Sequence, residues 1–487
     1  MSELKKLNRS AVQVPTYPER ILQFGEGNFL RAFANWMIHK MNKESGFDAG
    51  VVAVQPIDQG LVQMLNEQEG LYTLYLNGIK NGEAISEHEV VDCIQRGLNP
   101  YQNYDSYLAI ADNPDLRFVL SNTTEAGISH HAGDKLEDAP AKSFPAKLTA
   151  LLHRRFKTFN GDSSKGLIFI PCELIDRNGD NLKRIMLQYA EEWALGDDFT
   201  QWLVNDNIFC NTLVDRIVPG YPKSKMEAIT EELGYQDQLV VEGEQFHLWV
   251  IEGPESVRNE FPSEKIGLNV VFTDNMEPYR TRKVRILNGA HTSMVPVAYL
   301  YGIETVREAV EDAVTGQFVK DVIFDEICPT LDLPEEELKS FANDVLDRFR
   351  NPYLVHALMS ISLNSISKFK TRVLPSILEY QKRKNALPEK LVFSLASLIG
   401  FYKGELNGKT IALNDDQDIL DFFNKQWTAC DGSEVALQQL VEAVLSNTNF
   451  WGQDLTKVAD LVEKTALNLG DILQHGMRDV LKPKVLS

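Results

Sequence analysis

The segment RKVRILNGAH, residues 282–291, brings a lysine, an asparagine and a histidine close together. On an α-helix with Lys283 at zero, His291 falls at roughly 80° and Asn288 at roughly 140°, so the three side chains share one broad face. A lysine acts as general base toward an alcohol or general acid toward a ketone, and an asparagine donates a hydrogen bond to an oxygen that gains charge. A histidine orients the groups beside it. The spacing indicates proton transfer to or from the oxygen of a ketone or alcohol, and an ordinary solvated helix face is the alternative.

The position of this segment within its helix bears on the lysine. If the helix begins here, Lys283 lies in the first turn, where the positive end of the helix dipole together with Arg282 and Arg285 should lower its pKa. Pro296, a turn beyond the segment, is expected to kink or end the helix.

A local reversal of charge lies further along the chain. The protein carries a formal net charge of −20, yet the stretch 348–372 contains no aspartate or glutamate. Lys368 and Arg372 have the i, i+4 spacing that lets two side chains on a helix share one carboxylate. We interpret the stretch as a site for an anionic small molecule, with a solvated basic face as the alternative. Its cations are Arg348, Arg350, Lys368, Lys370 and Arg372.

A glycine turn near the N-terminus predicts a dinucleotide site. In FGEGNFLRAF, residues 24–33, Gly25 permits a tight turn after a strand, and Gly27 lets a pyrophosphate approach the backbone at the start of a helix. The third glycine of the usual fingerprint is absent, because Leu30 stands at its place. The predicted cofactor contacts in this turn are Phe24, Gly25, Gly27, Asn28, Phe29 and Arg31.

Two later strand ends complete the predicted cofactor site. Asp58, after the second strand, is the candidate to hold the ribose hydroxyls, although it comes later than the usual spacing. No lysine or arginine occurs between Lys43 and Lys80, so nothing local would neutralise a 2′-phosphate, and NAD is favoured over NADP. Thr123 and Glu125, in the loop SNTTEAG after another strand, are expected to line the same edge, with a capped polar turn as the alternative.

The elements that must position these residues fall into two groups. Up to about residue 280, buried strand patterns alternate with helical ones, which indicates a mostly parallel sheet with helical crossovers. Beyond that point helical periodicity dominates: Pro334 precedes three glutamates at a helix start, and residues 435–445 carry one apolar face. We predict an α/β, Rossmann-type NAD-binding domain over 1–280 and an all-α domain with the catalytic and substrate residues over 281–487.

Composition argues against several classes of function. The acidic balance, with a pI of about 5.0, is wrong for a nucleic-acid-binding protein. Five cysteines without a CxxC pair argue against a disulfide framework and a zinc site, and no metal is predicted. No signal peptide is visible, and the longest apolar run, residues 391–402, is too short to span a bilayer. We expect a cytoplasmic protein without nucleic-acid or membrane partners; the sequence does not predict its oligomeric state.

Together these motifs resemble the mannitol dehydrogenase family of long-chain polyol dehydrogenases. Besides the Lys283, Asn288 and His291 spacing, the family segments occur in order over nearly the whole chain: FGEGNFLRAF, EGLYTLYL, SNTTEAGI, LVDRIVP and SKFKTRVLP. The resemblance implies a metal-independent dehydrogenase in which Lys283 is the acid/base, Asn288 belongs to the oxyanion site and His291 is the helix histidine. It also implies that Asp215 and Lys368 contact the substrate.

One departure concerns the oxyanion site. Members of the family resemble CDNLxxNG where this chain has CELIDRNG, so their second oxyanion asparagine falls on Leu174, which cannot donate a hydrogen bond. With the basic stretch, the resemblance implies an NADH-dependent reductase of a keto sugar acid. Sister reactions on another hexuronate or on mannitol remain open. A dinucleotide sensor without turnover is the non-enzymatic alternative, and the acid/base lysine argues against it.

Overall fold

The structure is a computed structural model that describes residues 4–80, 82–124, 126–406 and 408–486. Its internal contacts divide the chain into an N-terminal unit, Met1–Gly78 with Ile85–Met276, and a C-terminal unit, Ile79–Ala84 with Glu277–Ser487. The boundary that we predicted at residue 280 lies just inside the C-terminal unit, and it stays a prediction.

Strands lie mainly in the N-terminal unit and helices mainly in the C-terminal unit. The strands are β1 Glu19–Phe24, β2 Gly50–Val54, β3 Tyr72–Lys80, β4 Glu83–Val91, β5 Ile94–Leu98, β6 Phe118–Ser121, β7 Ile168–Pro171, β8 Ile208–Phe209, β9 Asn211–Asp215, β10 Val241–Glu244, β11 Leu248–Glu252, β12 Val270–Thr273, β13 Glu405–Leu406 and β14 Lys409–Thr410. The α-helices of the N-terminal unit are α1 Asn28–Ala32, α2 Ala34–Ser45, α3 Val62–Glu67, α4 Tyr104–Leu108, α5 Phe144–Thr158, α6 Asn178–Glu192, α7 Asp197–Asn205, α8 Met226–Leu233 and α9 Glu255–Glu260.

The C-terminal unit is built almost entirely from helices. They are α10 Glu277–Arg282, α11 Gly289–Tyr301, α12 Val306–Glu311, α13 Ala313–Asp321, α14 Glu335–Phe349, α15 Leu358–Ile361, α16 Ser365–Arg372, α17 Leu374–Lys384, α18 Glu389–Phe401, α19 Gln417–Ala429, α20 Glu434–Leu445, α21 Thr448–Trp451, α22 Leu461–His475 and α23 Met477–Leu486. Two π-helical segments, Lys283–Asn288 and Val322–Ile327, interrupt this series.

The main sheet of the N-terminal unit confirms the Rossmann-type prediction. Its order is β5-β2-β1-β6-β7-β8, and every strand pair in it is parallel. The strands are apolar because helices cover both faces: α2 packs on one face, and α5 and α6 pack on the other. Strand order reverses between β1 and β6, and open α/β sheets bind their ligands at the carboxyl ends of the strands at such a switch point.

Two smaller sheets in the same unit were not predicted from the sequence. One has the order β10-β3-β4, and the other has the order β12-β11-β9, in which β9 and β11 are antiparallel. Asp215 closes β9 opposite Leu248. The short β9, β11 and β12 carry polar residues among apolar ones, so their pattern is weaker than that of the main sheet.

The helical packing of the C-terminal unit confirms its predicted class and sets the position of segment 282–291. The predicted helix after Pro334 is α14, and the apolar face of residues 435–445 is the buried face of α20. α18 holds the longest apolar run and packs on α11, where Ser394 Oγ donates to the Ser293 carbonyl at 2.7 Å. No helix within the described residues is long and apolar enough to cross a membrane.

A buried imidazole joins α2 to the residues around β4. His39 Nδ1 lies 2.6 Å from Asp92 Oδ1, and His39 Nε2 lies 3.3 Å from Glu89 Oε2. Burial disfavours the imidazolium, but the two carboxylates outweigh burial, and the pKa of His39 is raised above its ordinary 6.5. Glu89 is partly desolvated, yet the partner His39 lowers the pKa of its carboxyl to about 2.

We expect His39→Gln to destabilise the protein more at pH 6 than at pH 9. Because the folded-state pKa is raised, the imidazolium's contribution is fully present below the ordinary pKa of 6.5 and is lost as the pH rises through the folded-state value. A buried acceptor left without its donor costs about 1–3 kcal/mol. Urea unfolding at both pH values measures the loss, and an equal loss at both would contradict the assignment. His88→Gln, at an exposed imidazole, is the control.

Candidate active site

The glycine turn lies at the switch point of the main sheet. Gly25 follows β1 with φ of +109°, and a Cβ atom at this position would lie 2.8 Å from the carbonyl oxygen of Asn122, just after β6. Phe24 O accepts a hydrogen bond from Asn122 N at 3.0 Å, so the ends of β1 and β6 are held together. Only glycine fits both this conformation and this separation.

Gly27 is the open position of the turn. Its backbone is extended, with φ of −69° and ψ of 174°, and no protein atom within the described residues lies within 4 Å of the Cβ that another residue would carry there. No side chain caps the helix that begins at Asn28. The turn therefore leaves space at its surface for a ligand phosphate, which fits the predicted dinucleotide.

Three of the residues predicted to contact the cofactor have their side chains packed on protein. Phe24 is buried in the core against Tyr107 and Phe144, and the half-buried Phe29 stacks on Phe33 at 5.0 Å. Arg31 is only 1% exposed. These packed side chains position the turn, in which Gly27 is exposed and Asn28 and Phe29 are half-buried.

The guanidinium of Arg31 is bound to protein oxygens. It donates to the Glu26 carbonyl at 3.1 Å, to Asn28 Oδ1 at 2.8 Å and to the Leu239 carbonyl. Burial lowers its pKa, and the nearby Tyr72, Asp237 and Glu26 oppose that effect. In this structure Arg31 supports the turn, and its predicted role as a cofactor contact stays a prediction.

A polar groove lies beside the carboxyl ends of β2 and β5. Asp58 is exposed there, and its carbonyl accepts a hydrogen bond from Gln55 Nε2 at 2.8 Å. The described lining residues include no lysine or arginine. The groove therefore offers hydrogen-bonding groups for ribose hydroxyls and no cation for a 2′-phosphate, in agreement with NAD. Its lining comprises Gln55, Asp58, Gln59, Gly60, Val62, Gln63, Asn66, Glu67, Gly97, Leu98, Asn99, Gln102, Asn103 and Ser106.

The loop after β6 is fixed by an acid that the sequence analysis did not select. Glu173 accepts hydrogen bonds from Thr123 N at 3.0 Å and from Thr123 Oγ1 at 2.9 Å. An acidic residue two positions after the apolar strand β7 is the signal that would have identified it. The predicted contact Glu125 lies outside the described residues, and Leu174, at the place of the family asparagine, is 62% exposed. Asp215 is buried at the end of β9.

Lys283 does not lie in the first turn of a helix, so the dipole argument for it loses its basis. The helix begins at Glu277, and Lys283 opens the π-helical segment that links α10 to α11. In a π-helix, hydrogen bonds join residues five apart, which aligns Lys283 with Asn288 one turn later. The Asn288 side chain is half-buried and has no hydrogen-bond partner among the described residues. Pro296 does not end α11, which runs to Tyr301.

His291 is held in an aromatic and basic environment. Its ring stacks on Phe349 at 4.2 Å and meets His356 edge to face at 5.2 Å. Within the described residues, its buried Nε2 atom has no hydrogen-bond partner. Burial, aided by His356, Arg348 and Arg372, holds the pKa of His291 well below 6.5, so the ring is neutral at pH 7. The stretch 348–372 was assessed for lysine and arginine only, and His356 was missed.

α16 brings the two predicted substrate cations to the catalytic segment. A Cβ on Gly289 would lie 3.0 Å from the Arg372 carbonyl, which shows how closely α16 approaches the start of α11. Arg372 is half-buried, burial lowers the pKa of its guanidinium, and it has no polar partner among the described residues. Lys368 Nζ instead donates to the Ile361 carbonyl at 2.9 Å. Arg372 is therefore the better placed of the two to bind an anion.

Comparison with known proteins agrees with this arrangement. The pattern of the mannitol dehydrogenase Rossmann domain matches residues 19–265, and that of the mannitol dehydrogenase C-terminal domain matches residues 275–473. The chain belongs to the mannitol dehydrogenase family. As a member of the mannitol dehydrogenase family it is an NAD-dependent oxidoreductase that acts on a CH–OH group.

Relatives in the mannitol dehydrogenase family cover the full chain. An altronate oxidoreductase of Escherichia coli O139:H28 is 50% identical over 481 residues, 99% of this chain and 100% of the relative. One from Enterobacter sp. (strain 638) is 50% identical over 480 residues, 98% and 99% of the two chains.

Two solved structures share the fold. A D-sorbitol dehydrogenase in substrate-free form has a TM-score of 0.78 at 20% identity, over 98% of this chain and 100% of that one. The Pseudomonas fluorescens mannitol 2-dehydrogenase, in a ternary complex with NAD and D-mannitol, has a TM-score of 0.62 at 21% identity, over 98% and 99% of the chains.

We expect Gly27→Ala to weaken NADH binding about tenfold while leaving the melting temperature of the free protein unchanged. The added Cβ meets no protein atom, but it occupies the space that the pyrophosphate needs. Fluorescence titration with NADH and thermal unfolding measure the two effects. Gly25→Ala is the contrasting variant, because its strained φ and the Asn122 carbonyl should destabilise the free protein as well. Unchanged NADH affinity in Gly27→Ala would refute this site.

Proposed function

We propose that the protein catalyses the reversible, NADH-dependent reduction of D-tagaturonate to D-altronate. The names of the relatives at 50% identity support this reaction. A cytoplasmic role in hexuronate breakdown, as a step of galacturonate catabolism, belongs to the same proposal. The sister reactions on fructuronate or fructose are the alternatives that a substrate panel separates.

The observation that carries the proposal is the half-buried guanidinium of Arg372. It has no polar partner in the described chain, and its charge acts on His291 beside it. The stretch 348–372 itself contains no aspartate or glutamate. A desolvated guanidinium without a protein counter-charge favours an anionic ligand, and it binds a carboxylate through two parallel hydrogen bonds. A sugar acid meets this requirement, whereas a neutral polyol does not.

The proton transfer is assigned to Lys283. When bound, NADH supplies the hydride to the keto carbon. The Lys283 ammonium donates a proton to the oxygen of that carbon as charge develops on it, and the amine accepts the proton in the reverse direction. Asn288, aligned with Lys283 by the π-turn, donates a hydrogen bond to the same oxygen. Leu174 cannot take part, so Asn288 is the asparagine that we assign to the oxyanion.

The remaining site residues orient the substrate. Neutral His291 has one donor and one acceptor nitrogen, which suits a sugar hydroxyl or the Lys283 amine. We assign the carboxylate to Arg372, with Lys368 as a second cation whose pKa is lowered by burial and by Arg372. Asp215, in the N-terminal unit, is assigned to a substrate hydroxyl on the strength of the family resemblance.

We expect tagaturonate to be reduced with a kcat/KM about 10- to 100-fold above that of fructose, since a hydrogen-bonded charge contributes roughly 1.5–3 kcal/mol. The panel tests tagaturonate, fructuronate and fructose, each with NADH and with NADPH. The rate is measured from the loss of absorbance as the reduced coenzyme is oxidised. In Arg372→Met the preference for the acids should disappear, while the low activity on fructose stays. A wild-type enzyme that reduces fructose equally well would refute an acid substrate, and a preference for fructuronate would select the sister reaction.

We expect Lys283→Met to lower kcat by about 10²- to 10⁴-fold, the range of a general acid, without changing the NADH dissociation constant. Single-turnover kinetics at saturating NADH measures the chemical step. Lys457→Met, at a surface lysine whose side chain is 81% exposed, is the matched control and should keep full activity. Full turnover in Lys283→Met would eliminate the assigned acid.

A further inference from the structure

A single buried carboxylate joins two neighbouring strand ends of the cofactor-binding sheet. Glu173, two residues beyond β7, is 2% exposed. One of its oxygens accepts from Thr123 N and Thr123 Oγ1, and the other accepts from Ser121 Oγ at 2.9 Å. Ser121 is the last residue of β6, and Thr123 lies in the loop that follows.

The two strands end side by side. β6 and β7 are parallel, with Ser121 paired to Pro171, so the loops after them leave the same edge of the sheet. Asn122 Nδ2 donates to the Cys172 carbonyl at 2.7 Å, and the backbone of Asn122 contacts the glycine turn on its other side. The path from Glu173 to the loop after β6 and then to Gly25 thus consists of direct contacts.

The loop held by Glu173 has a conformation that needs support. Thr124 has φ of +77°, in the left-handed region that a β-branched residue rarely adopts. A Cβ on Gly127 would lie 2.0 Å from Thr123 Oγ1, so the chain also folds tightly over the threonine. Such a backbone persists only where the surrounding structure over-determines it. The three hydrogen bonds to Glu173 supply that constraint.

We propose that Glu173 is a positioning residue for NAD, which fixes the backbone and side chain of Thr123 at the switch-point edge so that the loop can bind the cofactor. The proposal rests on the family's use of NAD and on Thr123 as a cofactor contact. It does not depend on which sugar acid is the substrate.

The ionised carboxylate suits this role, because both of its oxygens then accept from all three contacting groups. Thr123 N can only donate, whereas the two hydroxyls donate here and can also accept, so protonation removes one acceptor and forces at least one hydroxyl contact to reverse or one contact to break. Burial raises the pKa of Glu173, against the opposing effect of the Thr123 and Ser121 donors. The titratable neighbour is the Cys172 thiol, whose pKa burial raises well above 9, while Ser121 and Thr123 are uncharged. The ionised form, and with it the support of the loop, is therefore lost as the pH falls through the raised value.

The test compares NADH binding in Glu173→Gln and in wild type by fluorescence titration. A glutamine has the same shape as the glutamate, but its NH₂ group replaces one acceptor oxygen and faces the groups that contact this oxygen. We therefore expect the NADH dissociation constant to rise about tenfold. Glu173→Asp should recover part of the affinity. The wild-type dissociation constant should rise as the pH falls, and that of Glu173→Gln should be independent of pH. Once NADH is saturating, the KM for the sugar acid should change less than about twofold.

Two further variants serve as a control and as a replacement for Glu173→Gln. Glu255→Gln, at an exposed glutamate of the same unit, is the control and should bind NADH as wild type does. If Glu173→Gln does not fold, Ser121→Ala decides, because it removes a donor to Glu173 at a residue that is not a predicted cofactor contact and leaves the carboxylate in place. A folded Glu173→Gln with wild-type NADH affinity and pH profile would overturn the proposal, as would wild-type affinity in Ser121→Ala. Because no sugar acid enters these titrations, their failure is distinct from failure of the proposed reaction.

Discussion

The catalytic assignment depends on one change of hydrogen-bond register in the backbone. Between Lys283 and Asn288 the chain forms i→i+5 rather than i→i+4 bonds, and the Gly289 amide donates to the Val284 carbonyl. In an α-helix, five residues would turn Asn288 about 140° away from Lys283. The wider π-turn brings the two side chains nearer to one face of the helix. The backbone therefore sets the relative direction of the Lys283 and Asn288 side chains.

Much of the fold could be predicted from the sequence, because its strongest patterns are local. Apolar runs predicted the strands β1, β2, β6 and β7, and the glutamates after Pro334 predicted the start of α14. The two small sheets were not predicted, because their short strands lack a clear pattern of apolar residues and their neighbouring strands are distant in sequence. The π-turn was not predicted either. An extra residue in a helical turn leaves the apolar periodicity nearly unchanged and alters only which side chains align.

The candidate site was less predictable, because residue type does not reveal how a charge is compensated. Arg31 and Arg372 both stand in motifs that suggest an anion site. The first is enclosed by carbonyl oxygens and supports the glycine turn, whereas the second keeps its guanidinium without a protein partner among the described residues. That difference is set by distant backbone, including Leu239, and so needs the folded chain. His356 and Glu173, in contrast, stand beside recognisable sequence patterns, the basic stretch and the strand β7, and could have been selected from them.

The polar groove beside β2 has a consequence for changing the coenzyme. Its described lining has amides and carboxylates but no cation, so we expect any selectivity against a phosphorylated ribose here to come from the lack of a countercharge. Such selectivity can be changed by adding a positively charged side chain. An arginine introduced near Asp58, together with loss of that carboxylate, would supply the missing countercharge without rebuilding the sheet, because Asp58 is exposed and lies after the end of β2.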